Sequence, residues 1–155
     1  MEIVTRGDLT EAINNIGPSL SPREKILRLE EIMKGMPQIE LPLKHHWAPD
    51  NYGREILLPA GSIVIGKIHK HAHLNVVSYG RCIVYTEFEV MDIEAPLTFV
   101  SKPGTKRVVY SLTDVVWTTI HPNPSNTKDL EKIEDYVIAK SYDALLQFQK
   151  QELLI

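Results

Sequence analysis

Gly66-Lys67-Ile68-His69-Lys70-His71-Ala72-His73-Leu74-Asn75-Val76-Val77-Ser78-Tyr79-Gly80 is the stretch on which the reading of this chain turns. Three of the six histidines fall here, at positions 69, 71 and 73. On an extended strand that spacing sets all three on one face, with Asn75 next in line. Neutral imidazole is the commonest protein ligand for transition metals, so the stretch is a metal-site candidate. Alternate side chains along a straight strand stand roughly 6.5–7 Å apart, so three cannot reach one ion unless the strand bends. Two histidines plus a remote ligand form an easier set, and His121 is the natural remote partner. Trp117 and Thr119 share its face on an otherwise apolar strand.

Around this stretch, residues 54 to 121 read as short strands at close spacing. The runs are Arg54 to Leu58, Ser62 to His69, His73 to Ser78, Arg81 to Glu87, Glu89 to Ile93, Leu97 to Ser101, Arg107 to Leu112 and Val115 to His121. Turn formers such as Pro59-Ala60-Gly61, Tyr79-Gly80 and Lys102-Pro103-Gly104 separate them. This is the pattern of an antiparallel β-sandwich or barrel, and no helix-length pattern interrupts it. Ahead of it, Ile39, Leu41 and Leu43 alternate as an edge strand. His45-His46-Trp47 and the turn cluster Pro49 to Gly53 follow, and the two adjacent histidines read as loop residues.

The ends are helical. Leu9, Ala12, Ile13 and Ile16 mark a first helix, with Asp8 or Thr10 as its cap and Gly17-Pro18 as its stop. Ser21-Pro22-Arg23-Glu24 reads as a capping box with proline at the first helical position, and Gly35 and Pro37 end that helix near Lys34. Beyond His121, Asn126 or Thr127 is a candidate cap. Leu130, Ile133, Val137, Ala144, Leu145 and Phe148 form an apolar stripe, and Ser141 is a candidate break into two helices. The expected organisation is a helical extension over 1–37, a β-barrel over 38–122 and a helical segment over 123–155.

Composition narrows the class. The chain has 155 residues, 43% hydrophobic and 24% charged, with a formal net charge of −3. That is an ordinary globule able to bury a core, without the basic footprint of a nucleic-acid binder and without a membrane-spanning run. Cys82 is the only cysteine, so no internal disulfide forms, in keeping with a reducing compartment. It reads as a small core residue rather than a nucleophile. The trio Lys102, Lys106 and Arg107 reads as a solvated turn.

These residues resemble a cupin, the small double-sheet jelly-roll barrel. The first cupin motif runs glycine, His-x-His, glutamate, glycine. Gly66, His69, His71 and Gly80 follow that outline, and His73 stands near the glutamate position. The second motif, Pro-x-Gly-x-x-His, is matched loosely by Pro103-Gly104-Thr105-Lys106-Arg107, with Arg107 where the last metal histidine would be. More narrowly, phrases such as Tyr52-Gly53-Arg54-Glu55-Ile56, Ala95-Pro96-Leu97-Thr98-Phe99-Val100-Ser101 and Val116-Trp117-Thr118-Thr119-Ile120-His121-Pro122 are similar to small cupin-like proteins of tailed bacteriophages.

The resemblance implies a cupin-type barrel that binds a divalent metal (Fe, Mn, Ni or Zn) or a small polar or anionic ligand. The expected metal set is His69, His71, His73 and His121, with Arg107, Asn75 and Tyr110 toward the ligand. No catalytic residue is assigned. If the chain is an enzyme, metal-assisted oxygen or isomerase chemistry is the class implied. The alternative is a non-enzymatic phage particle or host-interaction protein that uses a metal-free barrel as scaffold. Arg107 favours a metal-free site, because a guanidinium beside histidines suits a carboxylate or phosphate. Expected partners are further copies of the chain, as a dimer or higher homo-oligomer, a small anion, and a phage or host protein. The expected location is the bacterial cytoplasm or a phage particle.

Overall fold

A computed structural model describes residues 2–154; Met1 and Ile155, the outermost residues of the expected terminal segments, lie outside it. The first helix, α1 (Arg6–Asn14), starts one turn earlier than the apolar spacing predicts. Thr5 is its N-cap, and Asp8 is the reciprocal member of a capping box rather than the cap itself. The second, α2 (Pro22–Lys34), carries the expected Ser21/Glu24 box and proline start, with Gly35 as its C-cap.

The strands are β1 (Leu43–Ala48), β2 (Asn51–Leu58), β3 (Ile63–Ile65), β4 (Ile68–His69), β5 (His73–Tyr79), β6 (Arg81–Tyr85), β7 (Val90–Glu94), β8 (Leu97–Ser101), β9 (Val108–Ser111) and β10 (Val115–Pro122). Then come α3 (Leu130–Val137), a short strand β11 (Ile138–Ala139) and α4 (Tyr142–Leu153). The His45-His46-Trp47 triplet belongs to the edge strand β1, paired residue for residue with β2, and only Pro49-Asp50 remain as turn. The edge strand therefore begins at Leu43 rather than near Ile39. The break at Ser141 is present, and Ser141 caps α4. The cap of α3 is Asp129, not Asn126 or Thr127.

All strand pairs are antiparallel, in one sheet of order β1-β2-β10-β5-β8, a second of order β3-β9-β6-β7, and a two-stranded β11-β4 patch. From β2 onward the chain passes back and forth between the two large sheets, with β6 and β7 a hairpin within the second and β4 set in the two-stranded patch, which is the jelly-roll path of a cupin-type barrel. The sheets face each other across Leu58, Val77, Val115 and Trp117 on one side and Cys82, Val84, Ile93 and Val109 on the other. Burying each such aliphatic or aromatic side chain contributes roughly 1.5–3 kcal/mol. Gly80 makes the β5–β6 turn at φ +89°, where a Cβ would fall 1.9 Å from the Asp114 carbonyl oxygen, so only glycine fits.

The terminal helices cover different parts of the barrel. Leu9, Ile13 and Ile26 pack on the outer face of the second sheet against Ile83, Tyr85 and Val108. Lys106, just before β9, is buried and pairs with Glu30 of α2 at 2.9 Å. At the other end Ile133 and Val137 pack on Tyr52, and Leu145 on Ile68 and Ala139. Because β11 pairs with β4, with Ile138 opposite His69, the C-terminal segment supplies part of the barrel wall.

Candidate functional site

His69, His71 and His73 do not share a face. The strand ends at His69, bends over residues 70–72 and resumes at His73. One bend swings the middle residue out and leaves its neighbours inside. His69 and His73 meet His121 of β10 in the barrel, with ring centroids 4.3 Å (69 to 73), 5.1 Å (73 to 121) and 5.5 Å (69 to 121) apart. All three are buried.

Burial holds each imidazole neutral, and the Arg107 charge adds to it. The pKa of His69 is pushed down to about 2, that of His73 to about 4 and that of His121 to about 3. For His121 the neighbouring His73 ranks ahead of Arg107 as the second cause.

Hydrogen bonds set the tautomers. His73 Nδ1 lies 3.3 Å from the His71 carbonyl and His69 Nδ1 lies 3.4 Å from the Thr105 carbonyl, so each Nδ1 carries the proton. The Nε2 of His73 is then an acceptor, and Arg107 NH1 donates to it at 3.2 Å. The same NH1 donates to Ser101 Oγ at 3.1 Å. Ser101 Oγ also accepts from Asn75 Nδ2 at 2.8 Å, and Asn75 Oδ1 accepts from Trp117 Nε1 at 3.1 Å. The guanidinium lies 4.9 Å from the Trp117 ring centroid. A single chain of contacts thus joins His73, Arg107, Ser101, Asn75 and Trp117.

Arg107 is buried and meets no acid. Among the described residues no carboxylate forms an ion pair with it. Burial, then the nearby Arg54, lowers its pKa to about 10. Lys106 and Arg107 are therefore not a solvated turn: one anchors α2 and the other floors the site. Leaving a charge buried and unpaired is costly by several kcal/mol, so the guanidinium's remaining N–H donors are a standing demand for an anion.

The residues present do not fit the divalent metal implied by the cupin resemblance. The His73 lone pair that would bind it is taken by a guanidinium, which would also repel a dication. No Asp or Glu completes the set, and among the described residues no three His, Cys, Asp or Glu side chains are arranged to hold a metal ion.

Two expected residues stand elsewhere. His71 donates from Nε2 to the Tyr136 carbonyl at 3.2 Å and packs beside Tyr136 and edge-on to Phe148. With Lys70, whose Nζ and backbone N–H bond the Asp135 and Val137 carbonyls, it satisfies the last carbonyls of α3. Tyr110 lies on the outer face of the second sheet, packed with the cluster under α1, because alternation along β9 directs Val109 inward. Cys82 is the expected core residue, with burial pushing its thiol up to about 12. Sequence reasoning passed over Tyr52, buried with its ring centroid 6.4 Å from that of His121 and its hydroxyl 2.7 Å from His45 Nδ1. Position 52 shares the alternation of Ile56 and Leu58, which was the available signal.

No protein-family model matches the chain, and no curated protein sequence matches it. Solved structures similar to it include KdgF from Halomonas sp., 18% identical over 61% of this chain and 88% of that one, with a TM-score of 0.48. A Cupin 2 conserved barrel domain protein from Salinispora arenicola is 11% identical over 64% of this chain and 91% of that one, with a TM-score of 0.47. A cupin-2 domain containing protein from Shewanella frigidimarina is 10% identical over 61% of this chain and 92% of that one, with a TM-score of 0.45. No helix is long and apolar enough to cross a membrane among the described residues.

Proposed function

We propose that this chain is a cupin-type barrel that binds a small anion on Arg107, without a metal. The observation that carries the reading is the buried guanidinium with no carboxylate partner. Ser101 and Asn75 hold the guanidinium in place, Trp117 lies against it, and three neutral imidazoles line the adjoining wall without adding charge. An anion seated there gains Coulomb energy from the guanidinium, with which no carboxylate among the described residues pairs.

The test is thermal stability and calorimetric binding with a panel of carboxylates, phosphate and sulfate, for the natural chain and Arg107→Met, together with elemental analysis. Anion-dependent stabilisation lost in R107M is the expected result. Stoichiometric Fe, Mn, Ni or Zn in the purified protein, or anion binding unchanged in R107M, overturns the reading.

A second reading, a phage particle or host-interaction protein with the barrel as scaffold, draws on α4. Leu146 and Leu153 are exposed and seven residues apart, on one stripe of that helix. An origin in a tailed bacteriophage rests on the sequence phrases alone. Light scattering of a chain lacking residues 142–155 tests the contact role: an unchanged oligomeric state removes it.

A further inference from the structure

Arg107 also floors a second space. A cavity of about 50 Å³ runs in between the β6–β7 turn and β8 and ends on Arg107, Ser101 and Thr105. Its walls include Val84, Met91 and Phe99, and no histidine lines it. Lys102 and Glu89 also line it, so beyond Arg107 its lining carries no net charge. The histidine end of the barrel is closed by α3 packed on Tyr52 and by the Lys70 and His71 bonds to the end of that helix.

Building on the anion reading, we infer that the ligand is a short aliphatic monocarboxylate that enters between the β6–β7 turn and β8, with its carboxylate on Arg107 and its apolar part between Met91 and Phe99. Four features favour this class. A charged floor beside an apolar stretch of wall, formed by Val84, Met91 and Phe99, matches a molecule charged at one end only. Roughly 10–15 Å³ of such space holds one water, so about 50 Å³ takes about three to five heavy atoms, the range from formate to propionate. A fully hydrated anion such as phosphate would have to desolvate against Val84, Met91 and Phe99, which offer it no hydrogen bond. The planar guanidinium presents N–H pairs spaced for a carboxylate.

The experiment titrates sodium formate, acetate, propionate and inorganic phosphate into the full chain, read by tryptophan fluorescence in a Trp47→Phe background so that Trp117 is the sole reporter. Affinity should rise about fourfold per added methylene, phosphate should bind at least tenfold more weakly than propionate, and Arg107→Met should abolish the response. Met91→Gln and Val84→Thr, on different strands of the wall, should each flatten the ladder; if one fails to fold, the other carries the test. A flat ladder in the parent chain, or phosphate binding as tightly as propionate through Arg107, overturns the monocarboxylate inference and leaves the anion reading standing. Absence of any response that depends on Arg107 overturns both.

Discussion

Arg107 NH1 donates to His73 Nε2 across 3.2 Å, so a permanent cation holds the lone pair that a metal ion would need. Cation and imidazole are both buried. The imidazole is neutral because of both the burial and the cation. This one contact is where the metal and anion chemistries compete for the same imidazole.

Removing the guanidinium should therefore release His73. In Arg107→Met the second-ranked cause of its lowered pKa is gone, and the midpoint should rise from about 4 toward the ordinary 6.5 without reaching it, since burial remains. Imidazole NMR shifts followed against pH measure this. A midpoint that stays at its parental value means the charge is not felt across the contact.

Arg107→His should admit a metal. The substitution removes the competing cation and adds a fourth imidazole beside His69, His73 and His121. Elemental analysis after zinc loading should approach one ion per chain, with a melting temperature that falls on chelation, whereas the parent stays substoichiometric. If R107H also stays empty, the placement of the rings, not the guanidinium, excludes the ion.

Acid should unfold the protein through the three buried histidines. Their folded pKa values, about 2, 4 and 3, lie below the ordinary 6.5, so the unfolded chain takes up protons that the folded one refuses. Stability is full above pH 6.5 and falls as the pH drops below it, down through those folded values. While all three differ, the slope approaches about 4 kcal/mol per pH unit. Urea midpoints at pH 7.5, 6 and 5 give the slope, and His121→Gln should remove about a third of it. An equal slope in H121Q refutes the assignment.

Glu30→Ala should weaken the docking of α2. It leaves Lys106, only 6% exposed at its side chain, without its carboxylate. Removing one partner of such a pair should destabilise by about 3 kcal/mol. Replacing both, in Glu30→Leu with Lys106→Met, should recover most of that. Denaturant unfolding of the parent and the two variants measures both effects, and a loss below 1 kcal/mol in the single variant contradicts the role.

His71→Ala should loosen the C-terminal segment while sparing the site. It removes a donor to the last turn of α3 and the packing against Tyr136 and Phe148. A loss of about 1 kcal/mol is expected, together with faster proteolysis within residues 123–154. Unaltered cleavage there would show that the Lys70 bonds suffice.

Much of the fold was legible because short-range chemistry states it. The Ser21/Glu24 box, the strand-by-strand alternation and the turn at Gly80 all act within a few residues. The pairing of His69 or His73 with His121 was also legible, since each lies on an inward-reading run. His71 was not, because a bend over residues 70–72 reverses one side chain, and nothing local announces it. Tyr110 failed for a related reason: β9 has helices behind it, so both of its faces are apolar and alternation no longer tells inside from outside. The burial of Lys106 and Arg107 was hidden because it depends on Glu30 and Ser101, remote or facing groups that no local pattern near position 107 reveals.

The Ile138–His69 pairing has a bearing on synthesis. Domains fold from the N-terminus as they emerge, at about 5–20 residues per second. The two large sheets have all their strands once β10 is made. The wall at His69 lacks its partner strand until residue 139 has cleared the ribosome, 70 positions after His69 itself. Up to that moment the histidine end of a nascent barrel stays open to water, and it closes only after the strands of both large sheets have been made. A nascent chain cleared from the ribosome through residue 122 but not through 139 would thus carry both large sheets with the wall at His69 unfinished.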